Sequence, residues 1–327
     1  MTRGAAAATA ALALVLGGCA PSSGDTTTTT QPAETPGVAP SNAPPRTLPP
    51  PPESDVCDGF AQPVALGTIA TAELRETSGI VASRTHPGVL WAHNDSGDAA
   101  AVHAVGTDGS DLGRFRLTNA LAIDWEDMSL GPGPEPDRDY LYIGDIGDNL
   151  LLRSRLPIYR VPEPVPDRSG GSLEDVEVLT VTYGELGSFN AEAMAIDRFG
   201  RDLYIITKRG DDGRSVVFRV ALADLVPGGV ALLDPVAVLD LGPGAEVTGA
   251  DITADGGLIA LRGYSEVWIW TRVVPGAAET FATEPCLAPS PDEIQGEAIA
   301  FDPDGLGYFT VSEGSRAAIN YVGPRSP

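Results

Sequence analysis

The stretch Ala191-Glu192-Ala193-Met194 opens an apolar strand, and four similar phrases open other strands along the chain. The other copies are Thr77-Ser78-Gly79-Ile80, Trp125-Glu126-Asp127-Met128, Val247-Thr248-Gly249-Ala250 and Gly296-Glu297-Ala298-Ile299. Successive copies are 48, 66, 56 and 49 residues apart. Repetition at this period is typical of four-stranded propeller blades. The sequence therefore predicts an all-β fold with five blades in a ring.

The fifth repeat ends after three strands, whereas the apolar run Pro63 to Ile69 precedes the first repeat without a blade of its own. Pairing the two closes the ring and removes two exposed sheet edges. We therefore predict a five-bladed β-propeller closed by an N-terminal strand, with the outer strand of the fourth blade near Thr280 to Cys286. The longest interval contains a Pro-rich and Gly-rich insertion around Glu163 to Ser172. A six-bladed propeller is the alternative if that insertion contains a blade.

The first 56 residues do not belong to the predicted ring. Arg3 is followed by the hydrophobic stretch Ala5 to Leu16, which is too short to span a bilayer and is typical of a secretory signal. Leu16-Gly17-Gly18-Cys19 resembles the bacterial lipobox, which implies cleavage before Cys19 and acylation of its sulfur. An ordinary secretory signal with an incidental cysteine is the alternative.

These signals divide the chain into a lipoprotein signal peptide (residues 1–18), a tether (19–56) and the propeller domain (57–327). The tether is rich in Thr and Pro and lacks the large apolar side chains that would offset the entropy cost of ordering it. We expect a monomer that is exported and lipid-anchored to the outer face of the bacterial cytoplasmic membrane or to the cell envelope.

The charge balance restricts the partners. The chain carries 45 acidic and 21 basic residues, a formal net charge of −24. Nucleic acid and anionic lipid headgroups are therefore excluded as partners, and contact with the bilayer is expected through the anchor alone. A small polar or cationic ligand suits the charge better, although solubility is a sufficient reason for acidity overall.

Two cysteines, Cys57 and Cys286, remain after the predicted lipidation site. In an exported protein such a pair is typical of a disulfide. A bond between them would close a loop of 229 residues and would pin the closing strand. Two buried free thiols are the alternative.

In an up-and-down blade, the first strand starts and the second strand ends at the same face of the ring. Both sets of side chains should therefore meet at one mouth of the central channel. The starts of the first strands place these residues there: Ser78, Glu126, Glu192, Thr248 and Glu297. The ends of the second strands add Asn94, Asp95, Asp145, Lys208, Arg262 and Glu313. We predict ligand binding by the hydroxyl and second-strand members of this ring.

Glu126, Glu192 and Glu297 occupy equivalent positions at that mouth. Three converging carboxylates repel one another unless a cation lies among them or they take up protons. Carboxylate and hydroxyl oxygens are the ligands of a hard cation such as Ca²⁺. These three glutamates are therefore the predicted metal ligands. Hydrogen bonds and ion pairs that join the blades without any ligand are the alternative.

Evidence for catalysis is weaker. The sequence contains no Gly-rich phosphate loop, no Cys-His zinc spacing and no nucleophile elbow, so nucleophilic catalysis is unsupported. The candidate acid–base groups are His93, Asp95, Asp145 and Lys208, the only lysine in the chain. A lone strand histidine is commonly structural, and Lys208 is equally suited to an ion pair between blades.

Three phrases carry a family resemblance: Glu76-Thr77-Ser78-Gly79-Ile80, Leu90-Trp91 leading to Asn94-Asp95, and Asp124-Trp125-Glu126-Asp127-Met128. They resemble the opening phrases of the SdiA-regulated and phytase-like (esterase-like) bacterial propellers. The resemblance implies an exported propeller, sometimes with bound Ca²⁺. Family members commonly have Gly where Asp127 stands, so a different geometry is expected at that point of the mouth.

Two functions from different classes follow. One is a lipid-anchored binding module whose acidic channel mouth holds Ca²⁺ or a small polar ligand. The alternative is a metal-dependent hydrolase of phosphate esters, lactones or similar esters, in which the three glutamates hold the metal and His93 or a rim Asp activates water.

Overall fold

The computed structural model describes residues 55–209, 213–272 and 276–325. The predicted signal peptide, Cys19 and residues 20–54 of the tether lie outside the described residues. Within the described ranges the strands form five sheets, each the blade of one propeller. The prediction of a five-bladed β-propeller is confirmed.

Each blade begins with a strand next to the central channel and continues outward by antiparallel hairpins. The inner strands of blades 1 to 5 are Thr77–Ala82, Asp127–Pro132, Ala191–Asp197, Val247–Ile252 and Gly296–Phe301. The second strands are Val89–Asn94, Asp139–Gly144, Asp202–Thr207, Leu258–Gly263 and Tyr308–Ser312. The third strands are Ala101–Gly106, Leu156–Pro162, Ser215–Ala221, Val267–Thr271 and Ala318–Val322. The outer strands are Asp111–Leu117, Glu177–Thr182, Asp234–Leu239, Cys286–Ala288 and Val64–Thr68.

The ring closes as the sequence predicts. Val64–Thr68 pairs antiparallel with the third strand of blade 5, with Val64 opposite Tyr321 and Thr68 opposite Ala318. Just before this strand, a 3-10 turn at Val56–Gly59 brings Cys57 to the outer strand of blade 4. The Cys57–Cys286 disulfide is present, with the two Cα atoms 6.0 Å apart. In the chain-entropy model, a crosslink over this length of chain stabilises the fold by about 5 kcal/mol.

The six-bladed alternative is wrong, because the insertion in the long second repeat adds a strand to blade 1 and forms no blade of its own. This insertion forms the short strand Gly171–Leu173, which pairs in parallel with the outer strand of blade 1 at Phe115 to Leu117. In the same way, Ala231–Leu232 pairs in parallel with the outer strand of blade 2. Both insertions cover a sheet edge that would otherwise face solvent.

The predicted outer strand of blade 4 near Thr280 to Cys286 is also wrong in position. The structure has a short α-helix at Ala277–Thr280, and the strand follows at Cys286–Ala288. Ala277, Thr280 and Phe281 are buried, a spacing that suits a helical turn and not a strand. Phe281 packs edge-on against Trp270, with ring centroids 5.5 Å apart.

Apart from this helix, the described residues contain two further 3-10 turns, at Gly184–Leu186 and Leu222–Asp224. None of the described helices is long and apolar enough to cross a membrane. The hydrophobic core lies between neighbouring blades, and all five inner strands are almost wholly buried. The channel mouth is therefore built on a rigid apolar scaffold.

Candidate functional site

Four of the inner strands begin with a β-bulge at the same place. The ladder to the second strand skips one residue in blades 1, 3, 4 and 5, and the skipped residues are Ser78, Glu192, Thr248 and Glu297. In blade 2 the strand starts one residue after Glu126, whose amide donates to the carbonyl of Gly144. A bulge re-aims the side chain of its extra residue. The five predicted mouth residues are thus set apart from the regular ladder by the backbone itself.

The two hydroxyl members of the ring join neighbouring blades. Ser78 Oγ donates to the carbonyl of Glu126 at 2.5 Å, which links blade 1 to blade 2. Thr248 Oγ1 donates to the carbonyl of Gly296 at 3.0 Å, which links blade 4 to blade 5. Both side chains are buried. This arrangement matches the ligand-free alternative for these two positions, and their prediction as ligand-binding residues gains no support.

Two of the three predicted metal ligands already have partners. Glu192 Oε2 lies 2.7 Å from Lys208 Nζ, and Glu192 Oε1 accepts from Asn190 Nδ2 at 3.2 Å. Glu297 Oε1 accepts from Gln295 Nε2 at 2.8 Å. The three predicted glutamates therefore do not form one metal cage of their own.

Glu126 differs from its two counterparts. Its side chain is buried, with 6% of the residue exposed, and none of the described residues donates a hydrogen bond to its carboxylate. Carboxylate oxygens of Glu126, Asp124 and Asp95 all lie within 4.8 Å of one another. The structure thus brings together one predicted metal ligand, one predicted rim residue and one residue that was not predicted as a ligand. We call these three residues the carboxylate cluster.

The backbone of the next loop packs directly against this cluster at Gly147. A Cβ atom at that position would lie 2.1 Å from Glu126 Oε1 and 2.5 Å from Asp124 Oδ2. The loop is held there because Gly147 N donates to the carbonyl of Asp124 at 3.2 Å. A side chain at residue 147 would require these oxygens to shift, so glycine is what allows the loop to approach the cluster this closely.

Burial and mutual repulsion act together on the cluster. Burial, followed by the charges of Glu192 and Asp95, raises the pKa of Glu126 well above its usual range. Burial and the charge of Glu76 likewise raise the pKa of Asp95, against the amide of Ser96, and burial and the charge of Asp95 raise that of Asp124. Three carboxylic acids in this state favour either bound protons or a bound cation.

Three of the predicted rim residues have structural roles. Asn94 uses both ends of its amide: Oδ1 accepts from the backbone of Arg75 and Glu76, while Nδ2 donates to Glu73 O and Asp98. Asp145 is fully buried and accepts from the backbone of Ile123 and Asp124 while pairing with Arg153 at 2.6 Å. Arg262 is buried in an ion pair with Glu293 and donates to Ser290 Oγ.

Lys208 and Glu313 remain at the mouth with partial exposure. Lys208 Nζ is 2.7 Å from both Glu192 and the hydroxyl of Tyr264, so it joins blade 3 to blade 4. Although burial opposes it, the partner carboxylate of Glu192 raises the pKa of Lys208 above its usual value, which keeps the amine charged. Burial, with the charges of Asp95 and Glu76, raises the pKa of Glu313.

His93, the predicted base, lies beneath the mouth. It has no exposed surface, its Nδ1 is 2.8 Å from the carbonyl of Asn94, and its ring packs edge-on against Trp125 at 5.5 Å between centroids. Burial lowers the pKa of His93 to about 4, so the ring is neutral. Of the four acid–base candidates, His93 and Asp145 are fully buried, whereas Asp95 and Lys208 are partly exposed.

Asp127 points into the channel below the cluster. Its Oδ2 accepts from the amides of Met194 in blade 3 and Ala250 in blade 4, at 2.8 and 3.0 Å, and its Oδ1 accepts from the amide of Met128 at 2.8 Å. The residue is fully buried. The different geometry expected at this position is therefore a carboxylate that ties three inner strands together across the channel.

Asp124 was not among the predicted metal ligands, although the sequence held a signal for its place beside Glu126. In an extended segment, side chains two residues apart share a side of the chain, so the sequence Asp124-Trp125-Glu126 could have suggested that the two carboxylates lie together. Trp125 is buried in the core, which leaves Asp124 and Glu126 on the other side. The repeat gives no consistent signal at this position, because its equivalents are Glu76 and Glu246 in blades 1 and 4 but Asn190 and Gln295 in blades 3 and 5.

Comparisons with known proteins find only distant structural similarity. No protein-family model matches the chain, and no curated protein matches it. The chain is similar to the PQQ-bound aldose sugar dehydrogenase (Adh) from Streptomyces coelicolor, with 15% identity, a TM-score of 0.48, and coverage of 81% of this chain and 98% of that one. It is also similar to the β-propeller domain of Cps50 (Swd1) from Myceliophteria thermophila, with 12% identity, a TM-score of 0.43 and coverage of 79% and 99%. Kuenenia stuttgartiensis hydrazine synthase has 12% identity, a TM-score of 0.41 and coverage of 80% and 98%. Similarity at this level carries no argument about activity or ligands.

Proposed function

We propose that this chain is an exported, lipid-anchored binding module, related to the SdiA-regulated and phytase-like propellers, whose channel mouth binds Ca²⁺ through Asp95, Asp124 and Glu126. The observation that carries the proposal is the buried Glu126 carboxylate, which lacks a donor among the described residues and faces two other carboxylates. Burial and the two neighbouring carboxylates disfavour its charged form, and a cation at this point would offset that cost for all three groups.

The chemistry of the cluster favours a hard cation. Its ligand atoms are all carboxylate oxygens, and Ca²⁺ takes about 6 to 8 oxygens with flexible geometry. Three carboxylates supply between three and six of these, and backbone carbonyls or water can complete the set. The Cys57 and Cys286 sulfurs are committed to the disulfide, so the other group of potential ligands around them does not compete.

The export and anchoring part of the proposal rests on the lipobox-like Leu16-Gly17-Gly18-Cys19 and on the disulfide, which is a bond typical of oxidising compartments. The metal-dependent hydrolase is the weaker alternative, because the predicted base His93 has no exposed surface and its Nδ1 lies against the carbonyl of Asn94.

The test is thermal unfolding of the purified, disulfide-oxidised full chain after chelation and after addition of Ca²⁺. A cation that binds only the folded state at 100 times its dissociation constant stabilises it by about 2.7 kcal/mol. For a domain of this size we expect Tm to rise by about 5 to 10 °C. Asp124→Asn and Glu126→Gln should abolish the rise, whereas Glu297→Gln should keep it, since Glu297 lies outside the cluster.

Gly147→Ala provides an independent check, because it removes no carboxylate yet places a methyl group where Glu126 Oε1 lies. We expect it to weaken the Ca²⁺-dependent rise in Tm. If millimolar Ca²⁺, Mg²⁺ and Mn²⁺ all leave the Tm of the parent unchanged, the metal proposal is wrong.

A further inference from the structure

Five large aliphatic side chains lie exposed on two loops of blade 2 beside the carboxylate cluster. They are Leu121, Ile123, Leu150, Leu151 and Leu152, and we call them the aliphatic rim. Leu150 and Leu152 are the most exposed, at 78% and 77%. A contiguous exposed apolar patch next to a polar site is typical of an interaction surface, whereas single exposed leucines need no explanation.

The two loops are held side by side by buried groups. Asp145 accepts from the amides of Ile123 and Asp124 on one loop and pairs with Arg153 on the other. The amide of Gly147 donates to the carbonyl of Asp124 and connects the loops a second time. The aliphatic rim is therefore one surface and not two unrelated loop tips.

The leucine loop is also fixed internally. The carboxylate of Asp148, itself buried, accepts from the amides of Leu152 at 2.9 Å and Arg153 at 2.7 Å. Leu151 is held at a φ of 54°, in the left-handed region that leucine rarely adopts. Strained backbone that projects an exposed apolar side chain is a common feature of binding loops, and a fixed loop loses little entropy on binding.

Charge identifies the chemistry of the partner. The carbonyl of Glu76 accepts from the amide of Asp95 at 2.8 Å, and the carbonyl of Arg75 accepts from the amide of Gly314 at 2.9 Å, so Glu76 and Glu313 lie together beside Asp95, and both are at least partly exposed. A ligand that covers the aliphatic rim and extends across the mouth would therefore contact Glu76 and Glu313, two carboxylates that are not among the proposed calcium ligands. Aliphatic side chains followed by a basic residue complement this surface.

The charge of the chain argues against a membrane as the occupant. A formal net charge of −24, with Glu76 and Glu313 at the same mouth, repels the anionic headgroups of a lipid surface.

We propose that the aliphatic rim, together with Glu76 and Glu313, is a docking surface for a segment of a partner protein that carries aliphatic side chains beside a Lys or Arg. This goes beyond the calcium site and does not require the ion.

The test is fluorescence anisotropy of the purified full chain with a labelled 12-residue peptide of alternating Leu and Lys, with Ca²⁺ and with chelator. We expect Leu150→Ser combined with Leu152→Ser to weaken binding by about tenfold or more, because two apolar side chains lose their buried area. Glu76→Gln combined with Glu313→Gln should weaken it several-fold and reduce its dependence on salt. Leu232→Ser with Leu306→Ser, at two leucines elsewhere that are 57% and 58% exposed, should change it by less than about twofold.

Peptides that alternate Leu with Glu, or Ser with Lys, should bind at least about tenfold more weakly, since each lacks one half of the match. Peptide binding that survives Leu150→Ser with Leu152→Ser overturns the proposal. So does leucine-dependent binding of the chain to phosphatidylcholine vesicles, or leucine-dependent self-association in sedimentation, because either would assign the rim to another occupant. If Ca²⁺ does not raise the Tm but the peptide still binds, the calcium proposal alone is wrong and the docking proposal stands.

Discussion

Glu126 and Glu297 occupy the same place in two copies of one phrase, yet their carboxylates have different surroundings. Both begin an inner strand at the channel mouth, and both are 6% exposed. Glu297 accepts a hydrogen bond from Gln295 two residues earlier, whereas the residue two positions before Glu126 is Asp124, a second carboxylate. The repeat therefore fixes where a side chain lies, and the residues between the repeats decide what it can do.

The next position in the phrase differs in the same way. It is small in four blades, as Gly79, Ala193, Gly249 and Ala298, but it is Asp127 in blade 2. Blade 2 thus provides both the unpartnered carboxylate at the mouth and the carboxylate that ties three strands below it. Substitutions at these equivalent positions should have unequal effects.

The largest effect is expected for Asp127→Ala. The substitution leaves three buried backbone amides without their acceptor, at a cost of about 1 to 3 kcal/mol each. We expect the free energy of unfolding to fall by about 4 kcal/mol or more, measured by urea denaturation in the presence of chelator. The matched change Ala193→Gly at the equivalent position of blade 3 should cost about 1 kcal/mol. Equal losses at the two positions would contradict the role assigned to Asp127.

Glu297→Gln should change how stability depends on pH. Burial, together with the charges of Glu192 and Glu313, raises the pKa of Glu297 to about 8, although Gln295 opposes the shift. The folded state then holds a proton that the unfolded state releases near pH 4.5, so parental stability should fall as pH rises between about 4.5 and 8. At pH 8 the variant should be the more stable protein by about 4 kcal/mol, and the difference should vanish near pH 4.5.

Urea denaturation across that pH range, with chelator present, measures the difference. Glu174→Gln, at an exposed carboxylate, serves as the control and should leave the pH profile unchanged. A parallel shift of the whole Glu297→Gln profile, with no change of slope, would mean that this carboxyl is ionised in the folded protein.

Much of the scaffold was accessible from the sequence, because phrase spacing and alternating strands repeat five times. The closing strand and the disulfide followed from a count of strands and cysteines, and both are confirmed. The outer strand of blade 4 was misplaced, since a short helix there buries Ala277 and Phe281 with no longer pattern to reveal it.

The site was harder to predict, because the hydrogen-bond and ion-pair partners of each mouth side chain lie outside the repeated phrase. Position alone placed Ser78, Glu192 and Thr248 at the mouth with Glu126, but hydrogen bonds to other blades and to Lys208 decide which of them is left without a partner. The proximity of Asp124 to Asp95 depends on the path of two loops, and no periodicity in the sequence specifies that path.

The smallest effect, and the finest test of the comparison, is expected for Glu192→Gln. Burial raises the pKa of Glu192 even though Lys208 opposes the shift, and the side chain of Lys208 is 22% exposed and retains the hydroxyl of Tyr264. A glutamine can still accept from the amine, so we expect a loss of about 1 kcal/mol in the free energy of unfolding. Lys208→Gln should cost a similar amount, and the double variant should cost clearly less than the sum, because either change removes the same ion pair. Additive losses would mean that Glu192 and Lys208 act independently, and Glu192 would then be as free to bind a cation as Glu126.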